Sequence, residues 1–270
     1  DHLDPAAFAE QFTRLSAEEL AHLERTSAWL YDNTDYAILG GFGGGGLGDL
    51  PKVLAPELDH PRGIRNFDDW MVAHLTHPEH IKEIFHRQTE QAIENMELYR
   101  QAVGERIVAI FISGTDFGTQ RQELISPDMY RELYQPFHRR MNDWVHQHTG
   151  WKTFYHCCGS VYHLIPEFIA AGVDILNPVQ CSAANMEPAR LKREFGDRLV
   201  FWGGGVDTQR TLPFGTPEQV RDEVASRLRA FAPGGGYVFN AVHNIQAKTP
   251  VENVLAAFEA AREYGRYPVG

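Results

Sequence analysis

A chain of 270 residues with 43% hydrophobic content is long enough to bury a full core and fits a single α/β domain spanning residues 1–270. Its 23% charged residues carry a formal net charge of -11, with a sequence pI near 5.6, which argues against a nucleic-acid partner because phosphates call for a basic face. No apolar run approaches the roughly 18 residues that would span a bilayer, no signal-peptide pattern opens the chain, and the three cysteines are too few for a disulfide framework; the expectation is a cytoplasmic protein with reduced thiols and no membrane partner.

Helical periodicity covers Asp4 to Tyr31, with a Ser16-Ala-Glu-Glu start signal for a second helix inside it. The apolar run Tyr36-Ala-Ile-Leu-Gly-Gly-Phe reads as a buried strand. Helices near Phe67 to Ala73 and His80 to Val103 precede a strand at Ile107 to Ile112, and a helix at Pro127 to His148 precedes a strand at Lys152 to His156. Three further helix–strand pairs follow: Val161 to Ala171 with Val173 to Leu176, Pro188 to Phe195 with Leu199 to Trp202, and Pro217 to Phe231 with Tyr237 to Asn240. A helix from Pro250 to Tyr264 ends the series.

Alternating strands and helices with near-continuous apolar strands predict a parallel sheet covered by helices, either open and doubly wound or closed as a barrel. Two features favour the barrel: no G-x-G-x-x-G follows the first strand, and polar residues cluster just after most strands, where barrel enzymes build their sites. The expected fold is a (β/α)8 TIM barrel. Six predicted strands, together with a start at Asp1 instead of Met, predict that an N-terminal portion is missing, so that another segment or a homo-oligomer covers the first strand's edge.

The residues after successive strands are Gly40 to Gly46, Asp116 to Arg121, His156 to Gly159, Asn177 to Gln180, Gly203 to Gln209 and His243 to Gln246. A barrel brings such groups to one mouth. His156 and Cys158, two apart on an extended segment, point the same way while Cys157 faces away. Imidazole and thiolate are zinc ligands, and His243 from a distant strand end is the candidate third, leaving one coordination position open. Asp116 is a candidate fourth ligand or an orienting partner for a histidine. The bland alternative is a buried thiol packed beside a strand-end histidine.

Arg121 offers a bidentate carboxylate contact or a plain surface ion pair; Asp207 and Gln209 bind a polar ligand or cap a turn. Gln120, Asn177, Gln180 and Gln246, from the same ring of strand ends, join Arg121 and Gln209 as substrate-binding candidates. Gly43 to Gly46 lacks the Lys-Ser/Thr of a P-loop and reads as a flexible loop. Trp144, Tyr155, Trp202 and Tyr237 read as core, and the acidic stretch Glu218 to Glu223 as a solvated helix face.

Several segments in this order resemble the uroporphyrinogen decarboxylase superfamily: Gly118-Thr-Gln-Arg-Gln-Glu-Leu-Ile-Ser-Pro-Asp-Met-Tyr-Arg-Glu, Tyr155-His-Cys-Cys-Gly-Ser-Val, Gly172-Val-Asp-Ile-Leu-Asn-Pro-Val-Gln, Gly203-Gly-Gly-Val-Asp-Thr-Gln, and Gly234 to Gln246 with Pro250-Val-Glu-Asn. The resemblance runs from about Tyr36 onward and implies a (β/α)8 barrel. One branch of the superfamily decarboxylates uroporphyrinogen without a metal; the other consists of zinc-dependent methyltransferases that exchange a methyl group between a small donor or thiol acceptor and a corrinoid on a partner protein.

The zinc motif of the second branch is His-x-Cys with a distant Cys. His156 and Cys158 match its first two positions, while the third falls on His243, as judged from the following Thr249-Pro-Val-Glu-Asn. The arginine-rich N-terminal segment expected of the decarboxylases is not found. The resemblance therefore implies a methyltransferase with zinc on His156, Cys158 and His243, and a corrinoid presented by a separate protein, since nothing in this chain resembles its binding domain. Asp116 and His163 are candidates for proton transfer. The alternatives are a metal-free decarboxylase in which Asp207 or Asp116 faces pyrrole nitrogens, and a barrel that binds a tetrapyrrole or corrinoid without turnover.

Overall fold

Six short apolar runs form parallel strands, each separated from the next by helix. The computed structural model describes residues 4, 5, 8, 12–56 and 58–269. The predicted helical stretch before Ser16 lies largely outside the described residues. The strands are β1 (Leu39–Gly41), β2 (Ala109–Ser113), β3 (Lys152–His156), β4 (Ile175–Asn177), β5 (Val200–Trp202) and β6 (Tyr237–Val238).

The chain divides into two units. Unit 1 comprises Asp1–Asp116, Ile125–Tyr155 and Pro166–Val173; unit 2 comprises Phe117–Leu124, His156–Ile165 and Asp174–Gly270. Within each, strands pair in parallel and in chain order, β1-β2-β3 in the first and β4-β5-β6 in the second. Leu39 sits opposite Ala109, Ile110 opposite Thr153, Leu176 opposite Phe201 and Trp202 opposite Val238. The β2–β3 register shifts between Phe111 and Ser113.

In unit 1, α1 (Ala17–Asn33) opens with the predicted capping box: Glu19 N–H donates to the Ser16 hydroxyl and the Ser16 N–H to the Glu19 carboxylate. Two helices follow, α2 (Leu50–Leu54), which hydrophobic periodicity did not signal, and α3 (Phe67–Thr76). The long α4 (Pro78–Val103) buries Ile81, Ile84, Phe85, Met96 and Val103. The single helix expected from Pro127 to His148 is instead two, α5 (Pro127–Leu133) and α6 (Gln135–His148), broken at Tyr134. Pro136 accounts for the break, since it has no N–H to donate and its ring collides with the preceding turn.

A polar network threads this core. The His74 Nδ1–H donates to the Trp70 carbonyl at 2.7 Å, so its Nε2 accepts from the Tyr134 hydroxyl at 2.6 Å. Tyr130 and His138 form a second hydrogen-bonded pair at 2.9 Å. The Gly43 to Gly46 run is not a loose loop throughout: at Gly45 a Cβ would lie 1.9 Å from the Ile112 carbonyl oxygen, so the backbone itself packs on the end of β2.

In unit 2, the expected Val161 to Ala171 helix begins as a 3-10 turn (Tyr162–Leu164) and continues into α7 (Ile165–Ala170), most of which belongs to unit 1. Then come α8 (Pro188–Phe195), the short and unpredicted α9 (Thr211–Phe214), α10 (Pro217–Phe231) and α11 (Val251–Tyr264). Val220, Val224 and Leu228 of α10 pack with Ala256, Ala257 and Ala260 of α11 and with Val206 and Leu212. Glu218 and Asp222 are solvated as expected, whereas Glu223 turns inward and pairs with Arg227 at 2.8 Å, the two side chains being only 15% and 18% exposed. Of the aromatics read as core, Tyr155 is 2% exposed, while Trp144, Trp202 and Tyr237 are half-buried. No helix among the described residues is long and apolar enough to cross a membrane.

Candidate metal centre

Unit 2 gathers His156, Cys158 and His243, each contributing one donor atom, with all three atoms within 4.8 Å of one another. His156 is the last residue of β3, and two residues on, Cys158 Sγ lies 3.2 Å from its Nε2. The alternation of an extended chain sends Cys157 the other way: it is buried, and its sulfur accepts the Phe117 N–H at 3.2 Å.

His243 arrives from beyond β6. The loop there stays in register with the loop after β5, through Gly205 N–H to the Asn240 carbonyl (2.8 Å) and Val242 N–H to the Val206 carbonyl (3.1 Å). Val242 is buried, so the next residue faces outward, and the exposed His243 ring meets His156 edge-on at 6.0 Å between centroids.

The donor set fits a zinc ion. Bonds of about 2.0–2.1 Å to nitrogen and 2.3 Å to sulfur, in tetrahedral geometry, put donors roughly 3.3–3.6 Å apart. The His156–Cys158 separation is already near that, and the widest separation within the 4.8 Å cluster exceeds it by roughly 1 Å. Two imidazoles and one thiolate would fill three of the four tetrahedral positions on such an ion.

The end of β4 and the loop after it carry two of the predicted site residues, Asn177 and Gln180, and both bond within the protein. Asn177 Oδ1 accepts the His156 Nδ1–H at 2.6 Å while its Nδ2 donates to the Trp202 carbonyl at 2.9 Å. Gln180 Oε1 accepts the Gly159 N–H and its Nε2 donates to Gln120 Oε1, each at 2.9 Å. Gly159 itself lies against Gly118: a Cβ there would come within 2.4 Å of the Gly118 carbonyl carbon, so two loop backbones touch with no side chain between them.

The remaining predicted residues are more dispersed in role. Asp207 is buried, and its Oδ1 accepts the backbone N–H groups of Gln209 and Arg210, capping the turn before α9. Gln120, Arg121, Gln209 and Gln246 are exposed; Gln246 Nε2 donates to the Asn244 carbonyl, and the Arg121 N–H to the Thr119 hydroxyl. Asp116 stands exposed after β2 in unit 1.

Sequence reasoning did not single out Glu123. It receives both the N–H and the ring Nδ1–H of His163 at 3.0 Å and pairs by backbone with Gly118, tying together two loops of unit 2. Burial works against this carboxylate's charge, yet the His163 hydrogen bonds outweigh it and hold its pKa below the ordinary value. Nothing local marks Glu123, since its partner lies 40 residues away.

The chain is similar to known proteins of two activities. A methylated-thiol–coenzyme M methyltransferase from Methanosarcina mazei is 26% identical over 216 residues, covering 79% of this chain and 53% of that protein. A uroporphyrinogen decarboxylase from Psychromonas ingrahamii is 36% identical over a shorter stretch of 78 residues, 29% of this chain and 21% of that protein. The chain thus spans about half of one relative's length and a fifth of the other's. A solved methyltransferase from Methanosarcina mazei superposes with a TM-score of 0.65 at 19% identity, over 94% of this chain and 68% of that one, and shows the fold to be of (β/α) barrel type. A sequence model of the uroporphyrinogen decarboxylase (URO-D) family matches residues 59–264, and the chain belongs to that family.

Proposed function

We propose that this protein is a zinc-dependent methyltransferase that moves a methyl group between a small thiol or ether substrate and a corrinoid carried on a partner protein. The observation that supports it above all is the convergence of His156, Cys158 and His243 within 4.8 Å. The methylated-thiol methyltransferase relative, which aligns over most of this chain, adds weight.

In this reading His156 and His243 bind through neutral imidazoles and Cys158 as a thiolate, so the protein brings one negative charge to the site. That is one fewer than a His-x-Cys set completed by a second Cys would bring. A bound zinc ion supplies Lewis acidity toward a thiol sulfur or an ether oxygen. In the same reading, His163, hydrogen-bonded to Glu123 on the stretches leaving β3 and β2, is the group that takes up or returns the substrate's proton. The exposed Gln120, Arg121, Gln209 and Gln246 offer polar contacts to a small substrate or to the corrinoid-bearing partner.

A metal-free decarboxylase is the second reading, favoured by the family match and the decarboxylase relatives. Asp207, one of the two carboxylates this reading would turn toward pyrrole nitrogens, commits one oxygen to its own turn, while Asp116 is exposed.

Metal content of protein purified without chelator separates the two. About one zinc per chain, lost in the His156→Ala, Cys158→Ala double variant, is expected for the methyltransferase. Well-folded wild-type protein without metal would sink it and leave the decarboxylase.

A further inference from the structure

We infer that Asn177 and Gln180 are positioning residues for the His156–Cys158 arm and not substrate contacts: Asn177 selects which imidazole nitrogen of His156 presents its lone pair, and Gln180 braces the backbone behind Cys158. This deepens the metal reading and rests on it for the consequence, though not for the geometry.

Both residues are buried, 7% and 6% exposed, and both ends of each amide bond within the protein. The orientation of Asn177 is set from β5, because its Nδ2 donates to the Trp202 carbonyl, which can only accept. That leaves Oδ1 facing His156 Nδ1 at 2.6 Å. An amide oxygen has no proton to give, so Nδ1 must carry the hydrogen, and in the neutral ring the lone pair falls to Nε2. Nε2 is the atom beside Cys158 Sγ. Were the tautomer reversed, Nδ1 and Oδ1 would oppose two acceptors, at the cost of a buried hydrogen bond.

Gln180, three residues on, acts on the other half of the arm. Its Oε1 holds the N–H of Gly159, the residue directly after Cys158, and its Nε2 is fixed by Gln120. Since Gly159 also rests on the Gly118 backbone, the turn that aims the thiol is held from two sides. A single stretch at the end of β4, from Asn177 to Gln180, therefore sets the ring of one donor and the backbone of the other. Partners of this kind change metal affinity by about 10–100-fold when removed.

The test has two readouts, one of which needs no metal. In apoprotein with 15N-labelled histidines, the His156 ring, identified by its loss in His156→Ala, is expected as the Nδ1–H tautomer, with the Nε2–H form appearing in Asn177→Ala. Zinc affinity is then measured by competition with a chromophoric chelator. Asn177→Ala should weaken binding about 10–100-fold. Gln180→Ala should weaken binding while leaving the tautomer unchanged.

A wild-type His156 found as the Nε2–H form overturns the inference whether or not zinc binds. So does unchanged affinity in an Asn177→Ala protein that is folded by circular dichroism. If the tautomers respond as stated while wild type takes up no zinc, the ring-setting role of Asn177 stands and the metal reading is what fails.

Discussion

Burial decides the ionisation of several side chains. His138 is fully buried beside Tyr130, and desolvation pushes its pKa down to about 3; the same effect lowers that of His74. In the unfolded chain a histidine titrates near 6.5. Below that pH the unfolded state takes up a proton that folded His138 refuses until about pH 3. Its contribution to stability is thus complete above about pH 6.5 and is lost as pH falls toward 3, by roughly 1 kcal/mol per pH unit. Urea midpoints at pH 7.5 and 5.0 should draw closer together in His138→Gln than in wild type, and an equal spread would refute the assignment. Cys181, pushed up to about 12 by burial, should resist iodoacetamide in native protein at pH 8 and react once the chain is unfolded, which peptide mapping reads directly. At this scale the sequence revealed His156, Cys158 and His243, because alternation on a strand and position at strand ends are local properties. It placed Asn177 in this neighbourhood without its bonding partners, since what an amide bonds depends on the Trp202 carbonyl of another strand.

Helix starts were legible for the same local reason. The start read at Ser16 and that of α10 at Pro217 rest on capping boxes, Ser16 with Glu19 and Thr216 with Gln219. Thr216→Ala removes a bond to the Gln219 N–H, and urea denaturation should show a loss of about 1 kcal/mol. Leu228→Ala, in the packed seam between α10 and α11, should cost more, about 2–5 kcal/mol by the same measurement. If the Leu228 change were as mild as the cap change, the seam would not be the core it looks to be. Strand ends were read less well. The apolar run to Asn240 predicted a longer β6, yet the strand ends at Val238, and the backbone beyond it pairs only at intervals with the loop after β5. Hydrophobicity records which side chains are buried, not where a neighbouring backbone stops keeping step. The break at Tyr134 could have been found, as Pro136 was in plain view inside a strong helical pattern.

Across the molecule, the αβ alternation and the parallel order were legible throughout, whereas the division into two units was not, because it depends on which segments pack together after the chain has doubled back. All three candidate donors fall in unit 2. Binding to the native state alone adds about 4 kcal/mol at a thousandfold excess over Kd. Zinc is therefore expected to raise the Tm and to slow amide exchange within residues 156–165 and 174–269, with no such gain in His243→Ala. Protection confined to residues 12–116 would contradict the assignment of the ion to this cluster.

The wide spacing of the donors along the chain also bears on how the protein is made. His156 and Cys158 leave the ribosome first, and His243 follows only after β4, β5 and β6 have been synthesised. A nascent chain can offer a metal two donors at most until that point. The complete set becomes available only when the loop beyond β6 has taken up its register with the loop after β5, so if this cluster holds zinc, loading would follow the pairing of those two loops.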